Sequence, residues 1–184
     1  MNKVDVIKNI EDIRKIKDFL MLSDFRNYLM FIVGINTGLR ITQILSLKLS
    51  DVVDENKKIV DKISFNNITY CFNDYVQECL EKYIKSNNST LGSESYIFKS
   101  KKGDNQIERS QAYRILNDAS KSVGLNIKVG THTLRKTFGY HFYMQNNDLK
   151  YLRKLFNHSS INVTADYIGV DYEKINLKYN SFNL

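Results

Sequence analysis

The chain has no proline and no tryptophan among its 184 residues, and only eight glycines, three histidines and two cysteines. Without proline, a low-complexity stretch or an internal repeat, nothing in it resembles a linker, and no domain boundary is indicated. No apolar run approaches the roughly 20 residues that a membrane-spanning helix requires. The opening MNKVDVIKNIEDIRK sets acids among its bases and lacks an uninterrupted apolar stretch, which excludes a secretory signal. Cys71 and Cys79 are too few for a Cys-only zinc site. Without a signal they are expected to be reduced, buried thiols of a cytoplasmic protein rather than a disulfide framework. Blocks of five or six like charges are also missing, so the basic residues belong to a folded surface rather than to a disordered tail.

What is present suits one globular core. Hydrophobic residues make up 42% of the chain, with 12 Tyr and 10 Phe to fill an interior. The net charge is +7 and the isoelectric point about 9.2. Between Lys82 and Lys128 nine Lys/Arg face four Asp/Glu. Such an excess attracts polyanions, of which nucleic acid is the commonest, although basic charge alone does not identify a DNA binder.

Periodicity predicts a mostly α-helical protein with a small antiparallel β-sheet. Ile10, Ile13, Ile16, Phe19 and Leu20 form a helical stripe behind Asn9 as N-cap. A second helix runs from about Phe25 through Ile35 and stops at Gly38. A short third one carries Ile41, Ile44, Leu45 and Leu47. From Lys57 to Phe72 apolar and polar residues alternate around Asn66-Asn67, the pattern of a β-hairpin. Helical spacing returns at Val76, Cys79, Leu80, Tyr83 and Ile84. A short strand is expected at Tyr96-Ile97-Phe98, then a helix capped by Ser110, bearing Tyr113, Leu116, Ala119 and Val123 and ended by Gly124. From about Thr131 to Tyr179 further helices are expected.

Three short stretches carry polar residues that suit metal-independent phosphodiester chemistry. That chemistry needs fixed cations around the phosphate, a nucleophile, and an acid for the leaving oxygen. In INTGLRITQILSL, Arg40 follows a glycine turn at the start of a helix. In THTLRKTFGY, His132 and Arg135 are three apart and share a helical face. In LFNHSSINVTADYIGV, His158, flanked by Ser159 and Ser160, precedes Tyr167 by nine residues. Singly, each has an uneventful reading: an arginine in solvent, an HxxR pair on an amphipathic helix, one packed tyrosine among twelve. His141 matches no such pattern and is taken as structural.

Together, in this order, TGLR, HTLR, NHSS and the tyrosine of DYIG resemble the signature of the tyrosine recombinases, also called phage integrases. The resemblance runs from about Ile10 to Tyr172. It implies a recombinase catalytic fold and DNA strand cleavage and rejoining through a 3′-phosphotyrosyl link at Tyr167, with no cofactor and no metal. Arg40 and Arg135 would clamp the scissile phosphate, His132 would serve as base or proton relay, and His158 would donate to a phosphate oxygen. The family also uses a hairpin lysine as acid; Lys62 is the best match, with Lys57 and Lys58 as runners-up. The implied partner is double-stranded DNA, bound as a homo-tetramer by a protein that is monomeric when free. A type IB topoisomerase and a weakly active DNA-binding accessory protein are the competing readings.

Two departures stand out. Gln43 occupies a place where many members have Glu, an isosteric change that keeps hydrogen bonding. The N-terminal core-binding domain typical of the family is expected to be absent ahead of Ile10, so residues 1–184 are expected to form a catalytic domain alone, either a fragment of a longer protein or a natural short form. Half of a DNA clamp is then missing, and each lost phosphate contact weakens binding and flattens its salt dependence. The chain by itself is expected to bind DNA weakly and with little sequence selectivity. Nanomolar, site-selective binding in an electrophoretic shift at moderate salt would contradict this.

Overall fold

The computed structural model describes residues 5–87, 91–130 and 132–171. Among them are nine helices and one two-stranded sheet. In chain order they are α1 (Ile10–Ser23), α2 (Phe25–Thr37), α3 (Ile41–Leu45), α4 (Leu49–Val52), β1 (Lys62–Phe65), β2 (Ile68–Cys71), α5 (Asp74–Ser86), α6 (Arg109–Ser122), α7 (Thr133–Asn146), α8 (Leu149–Phe156) and α9 (Ile161–Ile168).

The second helix is the axis of the molecule. Leu29, Met30, Phe31, Ile32 and Val33 are consecutive and all buried, the mark of a helix covered on every side. Its neighbours α1, α5 and α7 supply the cover. Asp24 joins α1 to α2 unaided: its N–H donates to Leu20 O, and its carboxylate accepts from the Arg26 N–H at 2.9 Å. At the other end Gly38 adopts φ 72° and stops the helix.

Close backbone approach holds α7 in place. A Cβ added at Gly34 on α2 would collide with Leu134 on α7. One added at Gly139 would stand 2.6 Å from Ile168 Cγ2 on α9 and 2.9 Å from the Phe156 ring. An N-terminal strap also ties down this helix. Ile7 N–H donates to Thr137 Oγ1 at 3.1 Å, His141 Nε2 lies 2.9 Å from Ile7 O, and Lys8 Nζ reaches Gly169 O at 3.0 Å. His141 thus has the structural place expected of it.

The expected hairpin forms around Asn66-Asn67, but its paired strands span only Lys62–Phe65 and Ile68–Cys71 rather than starting at Lys57, with Ile63 opposite Tyr70 and Phe65 opposite Ile68. Asn66 and Asn67 both take positive φ, 49° and 63°, as a two-residue hairpin turn of this hand requires. Several expectations need correction. Cys71 is exposed whereas Cys79 is buried, because strand alternation turns Tyr70 and Phe72 inward and Cys71 outward. Tyr96–Phe98 form no strand: Tyr96 makes a single isolated bridge to Lys48, and Ile97 and Phe98 lie in a turn; both are buried, the Ile97 N–H donating to Leu47 O and the Phe98 carbonyl accepting from the Ile107 N–H. Ser110 lies inside α6, whose N-cap is Glu108, and Tyr113 faces solvent. The four-residue α4 is too short to leave a stripe and was not anticipated. The expected helical stretch beyond Asp171 lies outside the described residues. No described helix is long and apolar enough to cross a membrane.

Overpacking a close contact costs about 1–3 kcal/mol. Gly139→Ala is therefore expected to lower stability by about that amount in urea unfolding. Gly103→Ala, where a Cβ meets nothing within 4 Å, should stay within about 0.5 kcal/mol. Equal midpoints for the two variants would refute the close-packing argument.

Candidate active site

The turn after α2 shapes one wall of the site. Gly38 ends the helix, Leu39 is buried, and Arg40 becomes the N-cap of α3 with its side chain exposed. Gln43 holds this turn: its Oε1 accepts from the Arg40 N–H at 2.8 Å, and its own N–H donates to Arg40 O at 2.9 Å. The hydrogen bonding expected of Gln43 is present.

Arg135 enters the same turn from α7. Only 3% exposed, it donates through one terminal nitrogen to Gly38 O and lies within 3.5 Å of Leu155 O through the other. Its guanidinium carbon stands 4.3 Å from the centre of the Phe156 ring, a favourable cation–π placement. Burial pulls its affinity for the proton down, while the neighbouring Tyr70 and Tyr167 hydroxyls oppose this.

His132 caps α7, and its Nδ1 lies 3.2 Å from the Tyr167 hydroxyl. The opposite wall comes from the loop between α8 and α9. Asn157 turns left-handed to end α8, and Ser160 caps α9 by accepting from the Val163 N–H. Between them His158 Nδ1 sits 3.1 Å from Thr164 Oγ1. That hydroxyl donates to Ser160 O at 3.0 Å. Its single proton is committed there, so it accepts from His158, which must carry its proton on Nδ1. The Nε2 of a neutral His158 is then an acceptor.

Tyr167 occupies the last turn of α9, half-buried among rings. His158 and Phe156 stand 5.0 and 5.6 Å from it between centres, and Lys136 Nζ lies 5.2 Å over its face. Burial pushes its hydroxyl up to about 12, and Arg135 and Arg40 resist that rise. The hydroxyl is accordingly protonated at neutral pH. Burial lowers both His132 and His158; Arg109, Lys136, Arg135 and Arg40 push His132 further, and Arg135 and Arg40 do so for His158.

Five of the six residues singled out from sequence, Arg40, His132, Arg135, His158 and Tyr167, thus converge. Lys62 does not join them. It opens β1 on the exposed face, where its backbone pairs with Cys71 while its side chain makes no hydrogen bond or ion pair among the described residues. Lys57 and Lys58 lie in the turn before the hairpin. The hairpin residue that reaches the cluster is Tyr70, on the inner face of β2. Sequence reasoning also passed over Lys136, beside Arg135 in HTLRK, and Arg109, whose charge acts on His132. Among the described residues no group of His, Cys, Asp and Glu could hold a metal.

The depressed histidines give a pH prediction. Below their ordinary value of 6.5 the unfolded chain takes up protons that the folded cluster resists. Stability is therefore complete above that pH and declines as the medium is acidified through it. Urea midpoints should fall from pH 7.5 to 5.5, and fall less in a His132→Asn/His158→Asn variant. An unchanged pH dependence in that variant would contradict the assignment.

The profile of the phage integrase family matches residues 8–174. The probable integrase/recombinase YoeC of Bacillus subtilis (strain 168) is 37% identical over 182 residues, covering 99% of this chain and 98% of that protein. Tyrosine recombinase XerH of Campylobacter jejuni is 26% identical over 174 residues, 91% of this chain but 49% of XerH. The chain therefore spans nearly all of one relative and about half of the other. In fold it is similar to the XerA recombinase crystal structure, with a TM-score of 0.76 at 22% identity over 98% of this chain and 64% of that one. XerH bound to a palindromic difH substrate in a post-cleavage complex gives a TM-score of 0.73 at 20% identity, over 98% and 53%. On the family match, and on the likeness to YoeC along almost the whole of both chains, the chain belongs to the phage integrase family.

Proposed function

We propose that residues 1–184 act as the catalytic domain of a site-specific DNA recombinase, with Tyr167 as nucleophile. The observation that carries this reading is the 3.2 Å approach of His132 Nδ1 to the Tyr167 hydroxyl inside a ring of cations. A phenol held at about 12 needs a base within reach to attack at neutral pH. His132, kept neutral by burial and by neighbouring positive charge, is that base.

Tyr167 Oη attacks the scissile phosphorus as its proton passes to His132. The bond from phosphorus to the 5′ oxygen breaks, leaving a 3′-phosphotyrosyl link and a 5′-hydroxyl. Arg40 and Arg135 neutralise the charge that gathers on the non-bridging oxygens, and the planar guanidinium suits two of them at once. His158 contributes as a donor once its Nε2 is also protonated, a change that an approaching phosphate favours. Lys62, on the solvent side of the hairpin, is the candidate acid for the leaving oxygen, available to bound DNA rather than to the protein cluster. Attack by a second 5′-hydroxyl reverses the step and reseals the strand without an external energy source. Exchange between two duplexes requires four such sites, which is the reason to expect a tetramer on double-stranded DNA.

The test is a library of nicked duplexes with a randomised centre, on which cleavage traps the protein covalently. The unmutated chain is expected to give an adduct that Tyr167→Phe abolishes and that Arg135→Ala reduces by about 10²-fold or more. An adduct lost with Tyr172→Phe but kept with Tyr167→Phe would overturn the choice of nucleophile.

A further inference from the structure

Tyr70 is a poor choice for a residue that only fills space. Its ring is 1% exposed and packs edge-on to Phe65 at 6.5 Å between centres. Its hydroxyl is fully buried and has no hydrogen bond of good geometry. A buried hydroxyl left in that state costs free energy, and phenylalanine would fill the same volume without the cost. The group beside this hydroxyl is the Arg135 guanidinium. Arg135 has five N–H donors, one donating to Gly38 O and another at the long distance of 3.5 Å from Leu155 O. A third contact from a different element would fix the rotation of the fork about its own axis. Gly38 lies in the turn after α2 and Leu155 on α8, while Tyr70 approaches from the hairpin.

We propose that Tyr70 is a positioning residue for Arg135, its hydroxyl accepting from the guanidinium and so orienting the fork toward the scissile phosphate. The proposal rests on the assignment of Arg135 to that phosphate. It also ties the hairpin, with Lys62 on its outer face, to the arginine clamp through the Tyr70 side chain on the inner face. Orientation of a charged group that contacts the reacting atoms bears on the rate of cleavage more than on DNA affinity, because most of the binding comes from phosphates elsewhere on the duplex.

The experiment measures single-turnover adduct formation on one nicked duplex chosen from the trapped library, at saturating protein. Tyr70→Phe is expected to form the adduct about tenfold or more slowly, with an unchanged half-saturating DNA concentration and a melting temperature no lower than that of the unmutated chain. In an Arg135→Lys background, where the planar fork is gone, Tyr70→Phe should add no further loss. A Tyr70→Phe rate equal to that of the unmutated chain overturns the proposal while leaving the recombinase reading intact. So does a loss that multiplies in full with that of Arg135→Lys. If Tyr70→Phe melts early, Tyr70→Leu serves as the packing control: equal slowing in the two variants once their melting temperatures are matched supports the hydroxyl's role, and slowing that tracks melting temperature overturns it. No adduct from the unmutated chain overturns both readings.

Discussion

The structure depends on one buried cation. A guanidinium withdrawn from water is tolerated only where its donors and its charge are met, and Arg135 meets this demand with pieces of two separate segments, the turn after α2 and the end of α8. Gly38 offers a carbonyl from the end of the central helix, Leu155 offers a second from α8, and Phe156 offers its ring face. Each contact positions something else. The Gly38 turn also presents Arg40, α8 leads into the loop of His158, and Phe156 packs against Tyr167. Folding around Arg135 and assembly of the cluster are thus the same event.

Around Tyr167 opposing forces meet, and burial prevails. Burial among rings keeps its hydroxyl protonated, and the arginines draw it toward ionisation. Moving the proton to His132 creates an imidazolium next to Arg109, Lys136, Arg135 and Arg40, which is unfavourable until a phosphate brings negative charge. On the proposed reading, a site arranged in this way stays quiet until DNA completes the charge distribution that favours attack. His158 behaves similarly, because its second donor appears only on taking up a proton that the same arginines oppose.

Much of the architecture was legible from periodicity, because long helices with one buried stripe report themselves. The stripe of α1, apart from its exposed first member Ile10, the stripe of α5 and the continuous apolar run of α2 fall where the spacing puts them, and Asn66-Asn67 marks a turn that requires positive φ twice. Features set by tertiary placement were not legible. Cys71 looks buried in composition and is exposed by strand parity alone. Ser110 is a good capping residue that lies two positions past the N-cap and bonds the Glu108 side chain instead. The segment Tyr96–Phe98 has the right residues for a strand but makes one isolated bridge, at Tyr96, before turning. In the cluster, the motif words pointed to residues that gather, while the hairpin misled. A lysine there catches the eye by charge, but only the inward face of β2 reaches Arg135, and an inward tyrosine looks like core until its hydroxyl is followed to its neighbour.

The strap at residues 5–8 has a practical consequence. It crosses α7 by way of Thr137 and His141, and it ends with Lys8 on the carbonyl of Gly169, the cap of the helix that carries Tyr167. The strap and the Tyr167 hydroxyl are therefore mechanically in series. A purification tag or a trimmed start is not a neutral handle on this molecule, because any pull on the strap arrives at the far end of the Tyr167 helix.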